Sequence, residues 1–106
     1  MSFHELYLKD IYELYQAKKD QYEWIDVRRP DEWEMGTIPG VTRIVLDDLP
    51  EQTANLDPSR SYILICRSGG RSGRACQMLA EAGINDVTNF GGGMLTWYEA
   101  GYPLEK

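Results

Sequence analysis

Histidine is almost missing from this chain: His4 is the single example in 106 residues. A cysteine nucleophile here has no histidine base nearby in sequence, which argues against cysteine-protease chemistry. Cysteine is scarce as well, with only Cys66 and Cys76. A structural disulfide is not expected between them in a reducing compartment. Their spacing, with His4 far away, fits no four-ligand zinc pattern. No apolar run approaches the ~20 residues that a membrane span needs. The N-terminus, MSFHELYLKD, lacks the basic region and apolar stretch of a secretory signal. These absences point to a soluble, cytoplasmic protein. Basic charge is in the minority, with 11 Lys and Arg against 17 Asp and Glu.

What basic charge there is gathers in one place. Every charged residue within 60–80 is an arginine: Arg60, Arg67, Arg71 and Arg74. They contribute +4 to a formal net charge of −6, which leaves the rest of the chain at −10. A surface of that sign repels nucleic-acid phosphates and anionic lipids, so neither nucleic acid nor membrane is expected as a partner. The clustered arginines look aimed at something small and negative. With 42% hydrophobic residues, 7 Tyr and 3 Trp, the chain is expected to pack as one globular domain over 1–106.

Strand-like and helix-like segments alternate along the chain. Residues 3–6 read as a short strand. Residues 8–18 place Leu8, Ile11, Leu14 and Tyr15 at helical spacing. Residues 22–27 read as a strand, and 31–35 as a short helix opened by Pro30. Residues 42–46 read as another strand, followed by a loop containing Pro50 and Pro58. The near-continuous apolar run 61–65 suits a strand covered on both faces. Residues 71–82 read as a helix with Ala75, Met78, Leu79 and Ala82 as its buried stripe. A short strand at 86–88, a glycine turn at 91–93 and a helix at 94–100 complete the pattern. Such alternation argues for an open, largely parallel α/β sheet.

Cys66 then falls just after the carboxyl end of a central strand and just before the amino end of a helix. Ligands of open α/β sheets bind at such strand ends. The intervening Ser68, Gly69 and Gly70 let backbone N–H groups converge without Cβ clashes. Converging N–H groups form an anion-binding nest, to which the helix N-terminus adds partial positive charge. Arg67 and Arg71 add full charges. Together these groups favour thiolate over thiol. Cys76, beside the apolar stripe of the same helix, is expected in the core, and so is Trp97.

Three segments resemble a single-domain rhodanese, a sulfurtransferase homology domain. They are WIDVRRPDEWEMGTIPGV (24–41), CRSGGRS (66–72) and NFGGGMLTWYEAGYP (89–103), in the order and separation of that family. The resemblance covers roughly 3–103. One departure is Thr37, where members often carry histidine before Ile-Pro-Gly; the position is not the nucleophile, so little loss of activity is expected, and partner or substrate preference is what could differ. The resemblance implies a five-stranded, mostly parallel sheet with helices on both faces. It also implies catalysis by Cys66, which takes a sulfur atom from a small anionic donor such as thiosulfate. An acceptor thiol or cyanide then removes that sulfur. A protein donor or acceptor is the alternative, and neither cofactor nor metal is implied. Arg67, Ser68, Gly69, Gly70, Arg71 and Ser72 form the active-site loop. Asp26 either accepts hydrogen bonds from loop amides or simply ends its strand. Arg28 is a second candidate for loop support, and is expected to form a structural ion pair with Glu32. Gly92 and Gly93 are expected to permit a tight turn near the site.

Phosphatases and arsenate reductases of related fold place five residues between cysteine and arginine. Here only four separate Cys66 from Arg71, and Ser72 stands where the longer loop has its arginine. The tighter loop suits one sulfur better than a phosphate. A non-catalytic binding module and a persulfide carrier in a protein relay are the remaining alternatives.

Overall fold

The computed structural model describes residues 3–106. Five strands form one sheet: β1 (His4–Leu6), β2 (Tyr22–Asp26), β3 (Thr42–Arg43), β4 (Ser61–Ile65) and β5 (Asp86–Phe90). Their spatial order is β1-β5-β4-β2-β3, and every pairing is parallel. The expected mostly parallel sheet is thus wholly parallel. Helices α1 (Leu8–Lys18), α2 (Pro30–Trp33), α3 (Leu49–Gln52) and α4 (Gly70–Glu81) lie in the connections, and α5 (Gly93–Ala100) follows the last strand. No helix among the described residues is long and apolar enough to cross a membrane.

The apolar run of β4 has the reason inferred from its sequence: the strand is central and covered on both faces. Successive side chains point to opposite sides. Tyr62, Leu64 and Cys66 join Ile25, Val27, Ala75, Cys76, Leu79 and Val87 on the α4 side. Ile63 and Ile65 join Ile11, Trp24, Phe90, Met94 and Trp97 on the α1 and α5 side. Trp97 is fully buried, and its indole N–H donates to the Pro103 carbonyl at 2.7 Å.

Several elements differ from their sequence-based expectations. The strand expected over 42–46 is only Thr42–Arg43. Beyond it the Ile44 and Leu46 amides still donate to Asp26 and Val27, but irregularly. The expected loop around Pro50 contains a 3₁₀ turn, Leu46–Asp48, followed by α3. Pro50 lies in the first turn of α3, where its missing N–H leaves no helical bond unmade. Ala82 is exposed, because α4 stops at Glu81. Ser72 and Cys76 are buried on α4 instead, beside Ala75 and Leu79.

Candidate active site

Strand β4 pairs Ile65 with Asp26 and then ends, so Cys66 emerges at the carboxyl edge of the sheet. Four residues later α4 begins. Gly69 caps it in a left-handed conformation, φ +103°. A side chain at this position would be strained and would also run into the Gly91 carbonyl. Gly69 thus lets the loop turn sharply enough for its own amide to donate to Cys66 Sγ at 3.1 Å. The Ser72 hydroxyl approaches the same sulfur at 3.3 Å.

The outer side of the loop is held by the start of α5. The Met94 amide donates to the Cys66 carbonyl at 2.9 Å, and the Leu95 amide to the Arg67 carbonyl at 3.1 Å. These bonds use amides that a helix N-terminus leaves unpaired. They also occupy the loop carbonyls. Gly93 makes the close approach feasible: its φ is +62°, and an added Cβ would meet the Cys66 carbonyl oxygen at 2.7 Å. Gly92 has no such conformational demand, since its φ is −81°. Of the two glycines expected to shape this turn, only Gly93 needs the left-handed region.

Burial alone would push the Cys66 thiol up, since the residue is only 1% exposed. The Ser72 hydroxyl and the amides of Ser72, Gly69 and Ser68 pull the other way, and the net direction is below the ordinary 9.0. Among the described residues none donates such a bond to Cys76. Burial, helped by Glu5 and Cys66, pushes it up to about 12. The two cysteines therefore differ in chemistry as well as position: both are buried, and only Cys66 has its thiolate stabilised.

Arg71 leaves the loop and meets Glu32 in a two-pronged pair, with N–O distances of 2.7 and 2.8 Å. That contact, more than any other effect, draws the Glu32 carboxyl down to about 2. Glu32 was expected to pair with Arg28, and this is corrected. Arg28 precedes α2, and the extended backbone at Arg29 breaks the helical spacing between Arg28 and Glu32. The Arg28 guanidinium turns back to Asp26, at 2.9 to 3.1 Å, and also reaches Tyr98 and the Gly36 carbonyl. Asp26 and Arg28 are 0% and 1% exposed. The Asp26 carboxylate also accepts from the Arg28 amide at 3.0 Å; its described hydrogen bonds run to Arg28 rather than to amides of the Cys66 loop. Arg67, Ser68 and Gly70 are exposed around the rim. None of the three ion pairs among the described residues involves Arg67. Thr37 is buried, and its backbone pairs with Glu105 in the C-terminal tail.

Two residues behind the Cys66 loop were not anticipated from sequence. Asn89 of β5 touches both Ser72 and Gly69, and Glu5 of β1 touches Asn89. Parallel register puts Glu5 beside Asn89 and Asn89 beside Leu64, so all three side chains share the α4 face. The motif NFGGGM contained Asn89, but nothing local ties it to Cys66, 23 positions earlier.

Comparison with known proteins agrees with this architecture. A Thermoplasma volcanium rhodanese-related protein superposes with a TM-score of 0.85 at 31% identity, over 97% of this chain and 98% of its own. A sulfurtransferase from Allochromatium vinosum is 32% identical over 80 residues, 76% of this chain and 75% of its own. The thiosulfate sulfurtransferase GlpE of Shewanella oneidensis is 29% identical over 99 residues, 93% of this chain and 96% of its own. The rhodanese-like domain profile matches residues 8–100. By strand order, loop and sequence alike, the chain belongs to the rhodanese-like domain family.

Proposed function

We propose that this protein is a sulfurtransferase that carries sulfur as a persulfide on Cys66. The observation that carries the reading is the sulfur's setting: Sγ at a strand end, under the Gly69 amide and the Ser72 hydroxyl. These donors hold charge on sulfur without any base. In the first half-reaction the Cys66 thiolate attacks the outer sulfur of a donor such as thiosulfate. An Sγ–S bond forms, the donor's S–S bond breaks, and the electron pair leaves with sulfite. In the second, cyanide or an acceptor thiolate attacks the terminal sulfur, and the pair returns to Sγ. The charge is held by the loop in both resting states, so neither half-reaction needs a proton from a side chain.

The position of Arg71 supports sulfur over phosphate. Both terminal nitrogens of its guanidinium bind Glu32, and an arginine so engaged is poorly placed to grip phosphate oxygens. Arg67, exposed at the rim, is the group proposed to meet an anionic donor. The test is intact-mass analysis after incubation with thiosulfate. A gain of one sulfur atom is expected, reversed by cyanide, abolished in Cys66→Ser and retained in Cys76→Ser. A gain that follows Cys76, or an aryl phosphatase activity dependent on Cys66 and exceeding sulfur transfer, would overturn the proposal.

A further inference from the structure

The Ser72 hydroxyl faces two acceptors with one proton. Its oxygen lies 2.5 Å from Asn89 Oδ1 and 3.3 Å from Cys66 Sγ. A serine hydroxyl can donate only one hydrogen bond. The Asn89 amide cannot ease the conflict by turning over. Its Nδ2 donates to Glu5 Oε1 at 2.8 Å and to the Gly69 carbonyl at 3.1 Å, and both of these partners only accept. Glu5 is anchored in turn by the Tyr7 hydroxyl, which donates to Oε2 at 3.0 Å. The amide orientation is therefore set, with Oδ1 presented to Ser72. Ser72 is 0% exposed and Asn89 2% exposed, so water does not share the load.

We propose that Ser72 is a two-position gate: its hydroxyl donates to Sγ when Cys66 is a thiolate and to Asn89 Oδ1 when Cys66 is a persulfide. The inference rests on the sulfurtransferase reading and follows from where the charge sits. In the thiolate, the negative charge is on Sγ, and the nearest mobile donor turns to it. In the persulfide, Sγ is a neutral divalent sulfur and the charge lies on the outer atom. The hydroxyl then gains more from Asn89. Discharge reverses this: as the acceptor attacks the outer sulfur, the Sγ–S bond breaks and its electron pair returns to Sγ. The Ser72 proton swings from Asn89 to meet it, without leaving the serine oxygen. Ser72 thus stabilises the leaving group of the second half-reaction. Asn89 is a positioning residue, held in register by Glu5 across the β1–β5 pair.

The gate makes an equilibrium prediction that a merely structural serine does not. Thiosulfate and sulfite are mixed with the protein at fixed ratios, and the persulfide fraction is read by intact mass. Ser72→Ala removes the bond to Sγ from the thiolate and the weaker bond to Asn89 from the persulfide. The equilibrium should shift toward persulfide by the difference, about fivefold to tenfold given that a hydrogen bond to a charged group is worth more than a neutral one, and discharge by cyanide should slow more than loading. Asn89→Ala removes the competing acceptor and should shift the equilibrium the opposite way. Ser72→Ala deletes one oxygen and leaves the packing in place, so its shift is decisive even if Asn89→Ala unfolds. An unchanged equilibrium in Ser72→Ala, a shift toward thiolate, or shifts of the same sign in both variants overturns the gate. If the wild type takes up no sulfur, the sulfurtransferase reading falls instead. The gate is then read from the pH midpoint of Cys66 alkylation. Ser72→Ala should raise it and Asn89→Ala should lower it, with Arg71 and Cys76, the charged and titratable groups coupled to the thiol, unaltered; coincident midpoints overturn it.

Discussion

Replacing Glu32 by glutamine isolates the contact that anchors the Cys66 loop. The wild-type carboxylate accepts both terminal nitrogens of Arg71 at 2.7 and 2.8 Å, with side-chain exposures of 17% for Glu32 and 26% for Arg71. Its carboxyl is held at about 2 against an ordinary 4.5. At ~1.4 kcal/mol per pH unit that gap corresponds to about 3 kcal/mol, an upper bound shared with the Arg29 amide. Partial exposure and the hydrogen bond that glutamine retains reduce the expected loss to about 1–2 kcal/mol at pH 7. For a domain of this size that is a fall in Tm on the order of 5–10 °C. The sign with pH is definite. The folded pKa lies below the unfolded one, so the stabilisation is fully present above about 4.5. It is lost progressively as pH falls toward about 2. Urea unfolding of wild type and Glu32→Gln at pH 7, 4.5 and 3 measures this directly. The two proteins should differ most at pH 7 and converge at low pH. A difference that stays constant across the series, or is absent at pH 7, would show that the pair does not hold the loop.

Two further expectations concern the rim and the back of the loop. Arg67→Ala should raise KM for thiosulfate and weaken its dependence on salt, because an exposed attraction is screened, with little change in Tm; unchanged kinetics across ionic strength would move the proposal toward a protein donor. Gly93→Ala should cost about 3 kcal/mol, from ~1–2 for a left-handed alanine and ~1 for each strained α5-to-loop hydrogen bond. Gly92→Ala should cost much less, since its Cβ meets only the Thr96 side chain, at 2.8 Å. Equal losses by urea unfolding would refute the role given to Gly93.

Local order along the chain carried much of the result. Helical spacing located α1, whose bounds agree with the sequence at both ends. The near-continuous apolar run located β4 and its burial on both faces. Cys66, Gly69 and Ser72 are within one turn of chain, so a single segment announced a strand end, a tight turn and a helix start. Pro50 misled, because a proline inside an element and one in its first turn look alike in sequence but differ in which hydrogen bond is missing. The edge strand β3 was overestimated because a register of two residues leaves little local signature. The contacts that complete the site lie outside any local pattern. Arg71 reaches Glu32 across 39 positions, and Asn89 reaches Glu5 across 84. Arg28 chose Asp26, two residues back, over Glu32, four ahead, because extended backbone at Arg29 separates it from α2. Sequence by itself determined which residues form the strand-end loop, since neighbours in the chain build it. That Arg71 meets Glu32, and that Asn89 and Glu5 stand behind the loop, was decided only when parallel pairing brought β1, β5, β4 and β2 together, because hydrogen bonds depend on distance in space and not along the chain.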